Sequence, residues 1–360
     1  MFNSLRFELA RKRRGLNKSS LASQIGVDLR TVTAYERGEY EPSSDTLAKI
    51  SSILDFPIGW FSSGDLHQPS PLTASFRSQA RMSASRRDAA LASGALAFLL
   101  NDWLEKRFTM PVPDLPDLRE EEPEAAAITI RQHWGLGERP VKNVVHLLES
   151  KGIRVFSMAE DTAEVDAFSL WRETVPFVFL NTMKSAERSR FDAAHELGHL
   201  VLHRHADPKG KELEHQANSF ASAFLMPRGS VLSHAPILPS LNALIQLKKH
   251  WIVSVAALAY RLHQLGALTD WHYRVLCIEI GQKGYRTREP NEAHREMSLI
   301  FPQLFKALRE DMVTKVNIAS ELQINAEELD KLVFGLILVA LEGGRNQSGS
   351  ASRANLRLVK

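Results

Sequence analysis

The sequence predicts a multidomain protein with an all-α N-terminal domain, an α+β middle domain and a mainly helical C-terminal region. The chain has 360 residues, which is enough for two or three domains that each bury a core. Residues 1–60 show short amphipathic helical patterns separated by turn signals. Residues 125–180 instead combine helical patterns with β-rich runs, and helical patterns return after residue 189.

The composition is that of an ordinary folded protein, with 44% hydrophobic and 24% charged residues. The single cysteine, Cys277, excludes an internal disulfide and a multi-thiolate metal site, so a metal here needs His and carboxylate ligands. The N-terminus lacks the apolar core of a signal peptide, and no apolar run is long enough to span a bilayer. We therefore expect a cytoplasmic protein with no membrane partner.

The β-rich runs of the middle part are Ile153–Phe156, Ala167–Trp171 and Pro176–Leu180. The last run, extended to Asn181, is either an edge strand beside a cleft, to which an extended peptide adds as a further strand, or an ordinary core strand. A further β-like run is predicted at Arg274–Ile280, before the helices of the C-terminal region. No internal repeat is evident.

The run His195-Glu196-Leu197-Gly198-His199 is the sharpest chemical pattern in the sequence. Residues at i and i+4 of a helix differ by only about 40° of rotation, so both imidazoles project to one side. Glu196 lies about 100° from His195, so it can reach a metal-bound water without ligating the metal. The spacing therefore predicts two metal ligands and a general base.

A third ligand is expected on a second helix, where Glu214 shares one face with Ala217, Asn218 and Ala221. Glu214 would complete a His-His-Glu set with water in the fourth position. Zn²⁺ is the metal we expect, although Mn²⁺ also suits these ligands. Three other histidines could compete as the third ligand: His203, His205 and His215. The alternative is that each lies on the surface or only contacts a metal ligand. The alternative for the whole set is two histidines that hydrogen-bond within a core.

The helix that carries this run is predicted to begin near Ser189, because Ser189 and Asp192 have capping-box spacing. Gly198 costs helix stability, by about 1 kcal/mol relative to Ala, so a close approach of another backbone or side chain would explain its use. With zinc bound, the predicted reaction is peptide hydrolysis. Glu196 would take a proton from the attacking water and pass it to the leaving amine.

Residues 5–60 predict a helix-turn-helix that binds double-stranded DNA. Asn17 is the expected cap of a short helix, Lys18–Ile25, and a third helix runs through Arg37 after the turn at residues 26–28. The side chains that packing leaves available for DNA are expected to be Arg30, Thr31, Thr33, Ala34 and Arg37. The basic side chains expected to neutralise phosphates are Arg13, Arg14, Lys18 and Arg37. A small bundle that binds protein instead is the alternative.

Two segments resemble known families. The first carries Leu21-Ala22, Thr31-Val32, Tyr35-Glu36-Arg37-Gly38 and Pro42, and it resembles the XRE (Cro/C1-type) helix-turn-helix family, although Asn17-Lys18 stands where that family often has Thr-Gln. The second carries Arg188 through His203, Glu214, Ala217-Asn218 and Leu225-Met226-Pro227, and it resembles the ImmA/IrrE metallo-endopeptidase family. Gln216 precedes Ala217, so Glu214 is the acidic ligand that this motif offers.

The second resemblance implies a zincin-like fold with a gluzincin-type site, in which His195, His199 and Glu214 bind zinc and Glu196 is catalytic. Enzymes of that family typically cut a transcriptional repressor or an antitoxin-like protein and thereby release gene expression under stress. The resemblance therefore implies a DNA-binding regulatory metalloprotease with a protein substrate. The alternative is a DNA-binding regulator whose metallopeptidase-like domain is a non-catalytic sensor or dimerisation module.

The expected domains are a helix-turn-helix domain at 1–61, a linker at 62–87, a metallopeptidase domain at 88–268, a helical C-terminal domain at 269–342 and a flexible tail at 343–360. Within the C-terminal domain, Val316–Val333 forms either another helix-turn-helix-like pair or a helical cap on the peptidase, and we favour the cap. A symmetric operator would make the protein a homodimer.

Overall fold

The computed structural model describes residues 1–70, 75–76, 83–158, 167–204, 210–237, 239–333 and 357–358. In this part of the chain, an N-terminal helical bundle precedes a mixed α/β body with a small sheet, and a helical region follows. The predicted fold class is therefore confirmed. The domain boundaries remain predictions, because parts of the expected linker and nearly all of the expected tail lie outside the described residues.

The N-terminal bundle consists of α1 (Ser4–Arg13), α2 (Lys18–Ile25), α3 (Leu29–Glu36), α4 (Ser44–Leu54) and a short 3-10 helix (Ile58–Ser62). Asn17 caps α2 as predicted, because its side chain accepts a hydrogen bond from the Ser20 backbone N–H. Gly26 ends α2 in the left-handed region with φ 73°, where glycine carries no side-chain penalty. The bundle has its own core, in which Leu21, Val32 and Trp60 are fully buried.

The sheet of the body has the order β1-β4-β5-β3. Its strands are β1 (Ser75–Phe76), β3 (Arg154–Ser157), β4 (Ala167–Arg172) and β5 (Val175–Leu180). β5 pairs in parallel with β3 and antiparallel with β4, so both of its hydrogen-bonding sides are used. The edge-strand interpretation of Pro176–Asn181 is therefore wrong, and the core-strand alternative is correct. A separate pair joins β2 (Phe108–Thr109) to β6 (Arg357–Leu358).

The helices of the body are α5 (Ala84–Glu105), α6 (Pro123–His133), α7 (Val144–Ser150), α8 (Ala186–Leu202), α9 (Lys211–Leu225), α10 (Arg228–His234), α11 (Leu241–Trp251) and α12 (Val255–Gln264). The expected start of α8 near Ser189 is wrong by about one turn. Ser185 caps this helix by accepting a hydrogen bond from the Arg188 backbone N–H. Asp192 consequently lies inside the helix and is buried.

The C-terminal region contains α13 (Asp270–Gln282), α14 (Ile300–Glu310), α15 (Lys315–Leu322) and α16 (Ala326–Val333). The β-like run predicted at Arg274–Ile280 is wrong, because these residues lie in α13. A strand would place Ile278 on the same face as Leu276 and Ile280, yet Ile278 is 60% exposed while the other two are buried. Thr269 caps α13 through the backbone N–H of His272.

Gly198 lies where α8 packs closely against α9. A Cβ atom at this position would lie 3.0 Å from the Phe220 ring of α9. The expectation that a close neighbour explains this mid-helix glycine is therefore confirmed. The contact sets the distance between the helix that carries His195 and His199 and the helix that carries Glu214.

Replacing Gly198 by Ala is expected to lower the free energy of unfolding by about 1 kcal/mol, because overpacking costs about 1–3 kcal/mol and helix propensity returns only about 1 kcal/mol. Gly281→Ala is the matched control, since a Cβ atom at that helical position has nothing within 4 Å. The control should raise the free energy of unfolding by about 0.5 kcal/mol. Urea denaturation measures the free energy of unfolding of both variants. If both changes raised it, or both lowered it, the close packing of α8 on α9 would be contradicted.

Candidate metal centre and DNA-binding face

The two histidines and the glutamate of the central motif are buried on α8. His195 and Glu196 are 0% exposed and His199 is 4% exposed. α8 packs between β4 on one side and α9 on the other, and α9 supplies Glu214. The Glu214 side chain is 25% exposed, which makes it the most exposed of the three, although its Oε1 atom is buried.

His195, His199 and Glu214 converge as the spacing predicted. The two Nε2 atoms are 3.1 Å apart, and the Glu214 carboxylate oxygens lie 3.5 Å from His195 Nε2 and 3.4 Å from His199 Nε2. Tetrahedral ligands at about 2.05 Å from a zinc ion are about 3.3 Å from each other. The donor atoms therefore have both the chemistry and the separations that a divalent zinc-like ion requires.

The ring nitrogens that face away from this group have partners of their own. His195 Nδ1 lies 3.1 Å from Asn218 Oδ1, which makes Nδ1 the protonated nitrogen and leaves Nε2 for a metal. His199 Nδ1 lies 3.0 Å from His203 Nδ1, and His203 Nε2 lies 2.9 Å from Gln216 Oε1. Burial lowers the pKa of His203, so it is a neutral neighbour of the ligands.

The competing histidines are therefore not members of the group within the described residues. His203 contacts a ligand through Nδ1 rather than facing the three converging donor atoms. His215 is exposed, and His205 lies outside the described residues. Gln216, noted in the sequence only as a non-acidic position, proves to hold His203.

Glu196 is held by a residue that the sequence analysis did not identify. Ser169 on β4 donates a hydrogen bond from Oγ to Glu196 Oε2 at 2.6 Å, and both residues are buried. The bond leaves the carboxylate with a defined rotamer beside the metal ligands. A serine within a β-rich run gives no signal of this contact, because its partner is 27 residues away on another element.

Glu214 is held as a carboxylate by its neighbours. Burial alone would raise its pKa, but hydrogen bonds and charge interactions with His195 and His199 lower the pKa to about 2. An ionised carboxylate is the form that binds a metal cation. Glu214 therefore supplies a negative charge, and a bound cation would replace the imidazole protons as its partner.

The chain itself covers the outer side of β4, the strand next to α8. β1 pairs antiparallel with β4, and Ser75 lies opposite Ser169, the residue that holds Glu196. An extended peptide could pair with Phe168 and Ser169 on this side of β4 only after β1 had left them. Residues 75–76 of the expected linker are therefore part of the sheet, next to the residue that holds Glu196.

The third helix of the N-terminal bundle exposes some of the expected DNA contacts. Arg30 and Arg37 are exposed, and Thr31 and Thr33 are half-buried. Thr33 Oγ1 donates to the Leu29 carbonyl at 2.9 Å, so its hydroxyl is partly engaged within the helix. Ala34 is only 7% exposed, so the expectation that it is available for a groove is wrong: it packs into the bundle.

The basic side chains near α1 and α2 are mostly engaged within the protein. Lys18 lies 2.7 Å from Glu36 and keeps 40% of its side chain exposed, so it can still turn to a phosphate. Arg13 and Arg14 instead lie 2.8 Å and 2.5 Å from Glu328 of α16. The expectation that these two arginines face phosphates is wrong for this structure, because a buried carboxylate binds both.

The fold and the sites define a helix-turn-helix regulator joined to a metallopeptidase-like domain. Residues 8–61 match the helix-turn-helix family model, and residues 148–263 match the model of the IrrE N-terminal-like domain, a peptidase family. Both resemblances stated from the sequence are thereby confirmed. Among the described residues, no helix is long and apolar enough to cross a membrane.

One curated relative is similar in the N-terminal segment. It is the uncharacterised HTH-type transcriptional regulator YqaE of Bacillus subtilis (strain 168), 34% identical over 58 residues. The alignment covers 16% of this chain and half the length of that regulator. The likeness therefore concerns the DNA-binding domain and not the peptidase-family domain.

Asn218→Ala is expected to weaken divalent metal binding by about 10- to 100-fold, because His195 loses the partner that orients its ring. Gln216→Ala is the control on the same helix. It removes the partner of His203, which contacts His199 but is not one of the three converging residues. Its effect should be smaller. Competition of each variant with a chromogenic zinc chelator gives the affinities. Equal affinity of the Asn218→Ala variant and the unmodified protein would contradict the proposed orientation of His195.

Proposed function

We propose that this protein is a cytoplasmic, DNA-binding regulatory zinc metallo-endopeptidase. The observation that carries the proposal is the group of His195, His199 and Glu214 at tetrahedral ligand separations, with Glu196 beside it. The match of this segment to a peptidase family supports the same conclusion. A purely structural cluster would not need an ionised carboxylate and two imidazoles oriented toward one point.

The imidazoles of His195 and His199 and the carboxylate of Glu214 would hold the ion and leave its fourth position open. When bound, zinc supplies Lewis acidity that polarises a carbonyl and lowers the pKa of a coordinated water toward about 7. Asn218 keeps the Nε2 atom of His195 available by fixing the Nδ1 atom. The ligand set thus comes from two packed helices rather than from a loop.

Glu196 is the proposed general base. Its carboxylate takes the proton of the attacking water and then delivers a proton to the leaving amine of the cut peptide. Ser169 donates a hydrogen bond to one carboxylate oxygen and so restricts the rotation of the carboxylate. Glu196 would therefore transfer the proton, and Ser169 would hold the Glu196 carboxylate in position.

The proposed substrate is a protein that the same chain can meet at DNA, of the repressor or antitoxin-like kind that the family resemblance implies. Cutting such a protein would release gene expression, for example under stress. The N-terminal bundle would bring the peptidase to double-stranded DNA through Arg30, Thr31, Thr33 and Arg37, with Lys18 at the phosphates. Two copies would bind a symmetric operator as a homodimer.

A second candidate function is a regulator whose peptidase-like domain binds metal without turnover. The position of β1 favours it, because β1 covers the outer side of β4 beside Glu196. In this case metal occupancy or displacement of β1 would be the signal. The two candidates differ in whether Glu196 is needed for gene control.

Glu196→Gln is expected to abolish cleavage, by at least about 1,000-fold, while the variant still binds one zinc per chain. His199→Ala is the companion variant and should lose the metal. Elemental mass spectrometry of protein prepared without chelator gives the metal content. Mapping of new protein N-termini in extracts of the source organism gives the cleavage, with the Glu196→Gln protein as a trap for the substrate.

Three results would contradict the proposal. New N-termini that appear equally with the Glu196→Gln protein would exclude Glu196 as the base. Normal control of target genes by that variant, with zinc still bound, would favour the non-catalytic regulator. Absence of metal even after zinc is offered would exclude both candidates in their present form.

Arg30→Ala is expected to weaken operator binding by about 1–3 kcal/mol and to relax sequence preference at one position, because exposed Arg30 is the expected reader of a base edge. Arg37→Ala should weaken binding to all duplexes alike. It should also reduce the slope of log affinity against log salt by about 1. Fluorescence anisotropy with selected and scrambled duplexes separates the two effects. A uniform loss in the Arg30 variant would reassign it to the phosphates.

A further inference from the structure

The bounds of α15 and α16 repeat those of α2 and α3 at a constant interval of 297 residues, the interval from Leu21 to Ile318, and α14 precedes α15 as α1 precedes α2. α2 and α15 each have eight residues, as do α3 and α16. A left-handed residue ends the second helix in each set: Gly26 has φ 73° and Gln323 has φ 56°. The third helix begins three residues later in both.

The local hydrogen bonds recur at the same interval. Val27 N–H donates to the Ala22 carbonyl at 3.0 Å, and Ile324 N–H donates to the Ala319 carbonyl at 3.0 Å. The caps also correspond, because Asn17 accepts from the backbone N–H three residues ahead and Thr314 does the same. A left-handed residue followed by such a bond also ends α4 and α11, at Asp55 and Ile252, so the correspondence depends on the caps, the bounds and the buried positions taken together.

The buried positions correspond as well. Leu21, Ala22 and Val32 fill the first bundle, and their counterparts are equally buried, with no more than 4% exposure in any of the six. The counterparts are Ile318, Ala319 and Leu329. The C-terminal region therefore contains a local counterpart of α2 and α3, although no repeat was expected from the sequence. For Val316–Val333, the pair has the turn of a helix-turn-helix and also packs on α5 and β3 of the body, as a cap would.

The third helices of the two sets differ in charge. Arg30, Thr31 and Thr33 of α3 correspond to acidic residues of α16, which are Glu327, Glu328 and Asp330. Acidic side chains at these positions repel DNA phosphates. The second motif is therefore unsuited to DNA and suited to a basic protein surface.

α16 meets such a surface on α1 of the N-terminal bundle. Glu328 receives hydrogen bonds from Arg13 Nε at 2.8 Å and from Arg14 Nη1 at 2.5 Å. Beside them, Asn325 Nδ2 donates to the carboxylate and the carbonyl of Asp55, at 2.6 and 2.9 Å. The Glu328 and Arg13 side chains are 1% and 3% exposed, so water does not screen this pair.

We propose that α14–α16 is a second helix-turn-helix that binds protein instead of DNA, and that its acidic third helix holds the DNA-binding domain on the peptidase body. Glu328 takes the place of a phosphate for Arg13 and Arg14. The docked form therefore withholds two arginines from DNA and gives the DNA-binding domain a defined orientation. The part of the proposal that concerns DNA rests on the proposed DNA binding of the N-terminal bundle.

The electrostatics of the contact agree with this role. Burial alone would raise the pKa of Glu328, but the charges of Arg13 and Arg14 lower it to about 2. The carboxylate is therefore charged at any physiological pH. Removing it would take the Glu328 carboxylate from buried Arg13 and leave half-buried Arg14 with the Asp55 carboxylate of its own bundle, and such a change favours undocking.

The test compares Glu328→Gln with Glu327→Gln in the full chain. Both changes remove one negative charge from α16, but Glu327 is exposed and Glu328 is buried between the arginines. Binding to a random-sequence duplex is measured over a range of salt concentrations, and hydrogen exchange is measured in α1. In the Glu328→Gln protein we expect faster exchange at the end of α1. The slope of log affinity against log salt should steepen by about 1.8, a further ~60-fold loss per tenfold rise in salt.

Equal slopes and equal exchange in the two variants would overturn the proposal. If the unmodified protein does not bind the duplex, the DNA-binding assignment is wrong, and the exchange comparison still decides whether Glu328 holds the domain. Cross-linking provides a test that does not depend on the Glu328 variant folding. A short bis-maleimide should join Asp55→Cys to Asn325→Cys in a Cys277→Ser background. Failure of this cross-link in folded protein would also overturn the docking.

Discussion

The close packing of α8 against α9 is the contact on which the candidate site depends. Gly198 permits it, because any side chain at this position would meet the Phe220 ring. Two ligands lie on one helix and the third on the other, so the distance between the helices sets the size of the group. Ser169 connects the same helix to the sheet and fixes Glu196. A shift of α9 would therefore change the geometry of the three residues while leaving Glu196 in place.

Local patterns in the sequence were sufficient for the features that one element determines by itself. The i, i+4 spacing of His195 and His199, the Asn17 cap and the Gly26 turn depend on backbone geometry within a few residues. The convergence of Glu214 on these histidines was also predictable, because one face of α9 carries small residues around it. Features that depend on which elements pack or pair with each other in the fold were not predictable from the sequence. The central place of β5 in the sheet is one example, and the bond between Ser169 and Glu196 is another.

The basic residues of the first segment illustrate the same limit for electrostatics. Their number in the sequence indicated a surface for polyanions, but charge becomes a binding property only when solvent reaches it. Arg11 and Lys18 share Glu36, and Arg13 and Arg14 share Glu328. Arg30 and Arg37 retain the exposure that DNA needs. The sequence could not make this distinction, because Glu328 belongs to the far end of the chain.

The separation of Arg13 from Glu328 by 315 residues has a consequence for biosynthesis. Ribosomes add about 5–20 residues per second, so roughly 16–63 s pass between the emergence of one partner and that of the other. Domains generally fold as units during synthesis, and the N-terminal bundle has a core of its own. The nascent protein is therefore for a time a free DNA-binding domain with two uncovered arginines. A messenger that is truncated before α16 would make that transient form permanent.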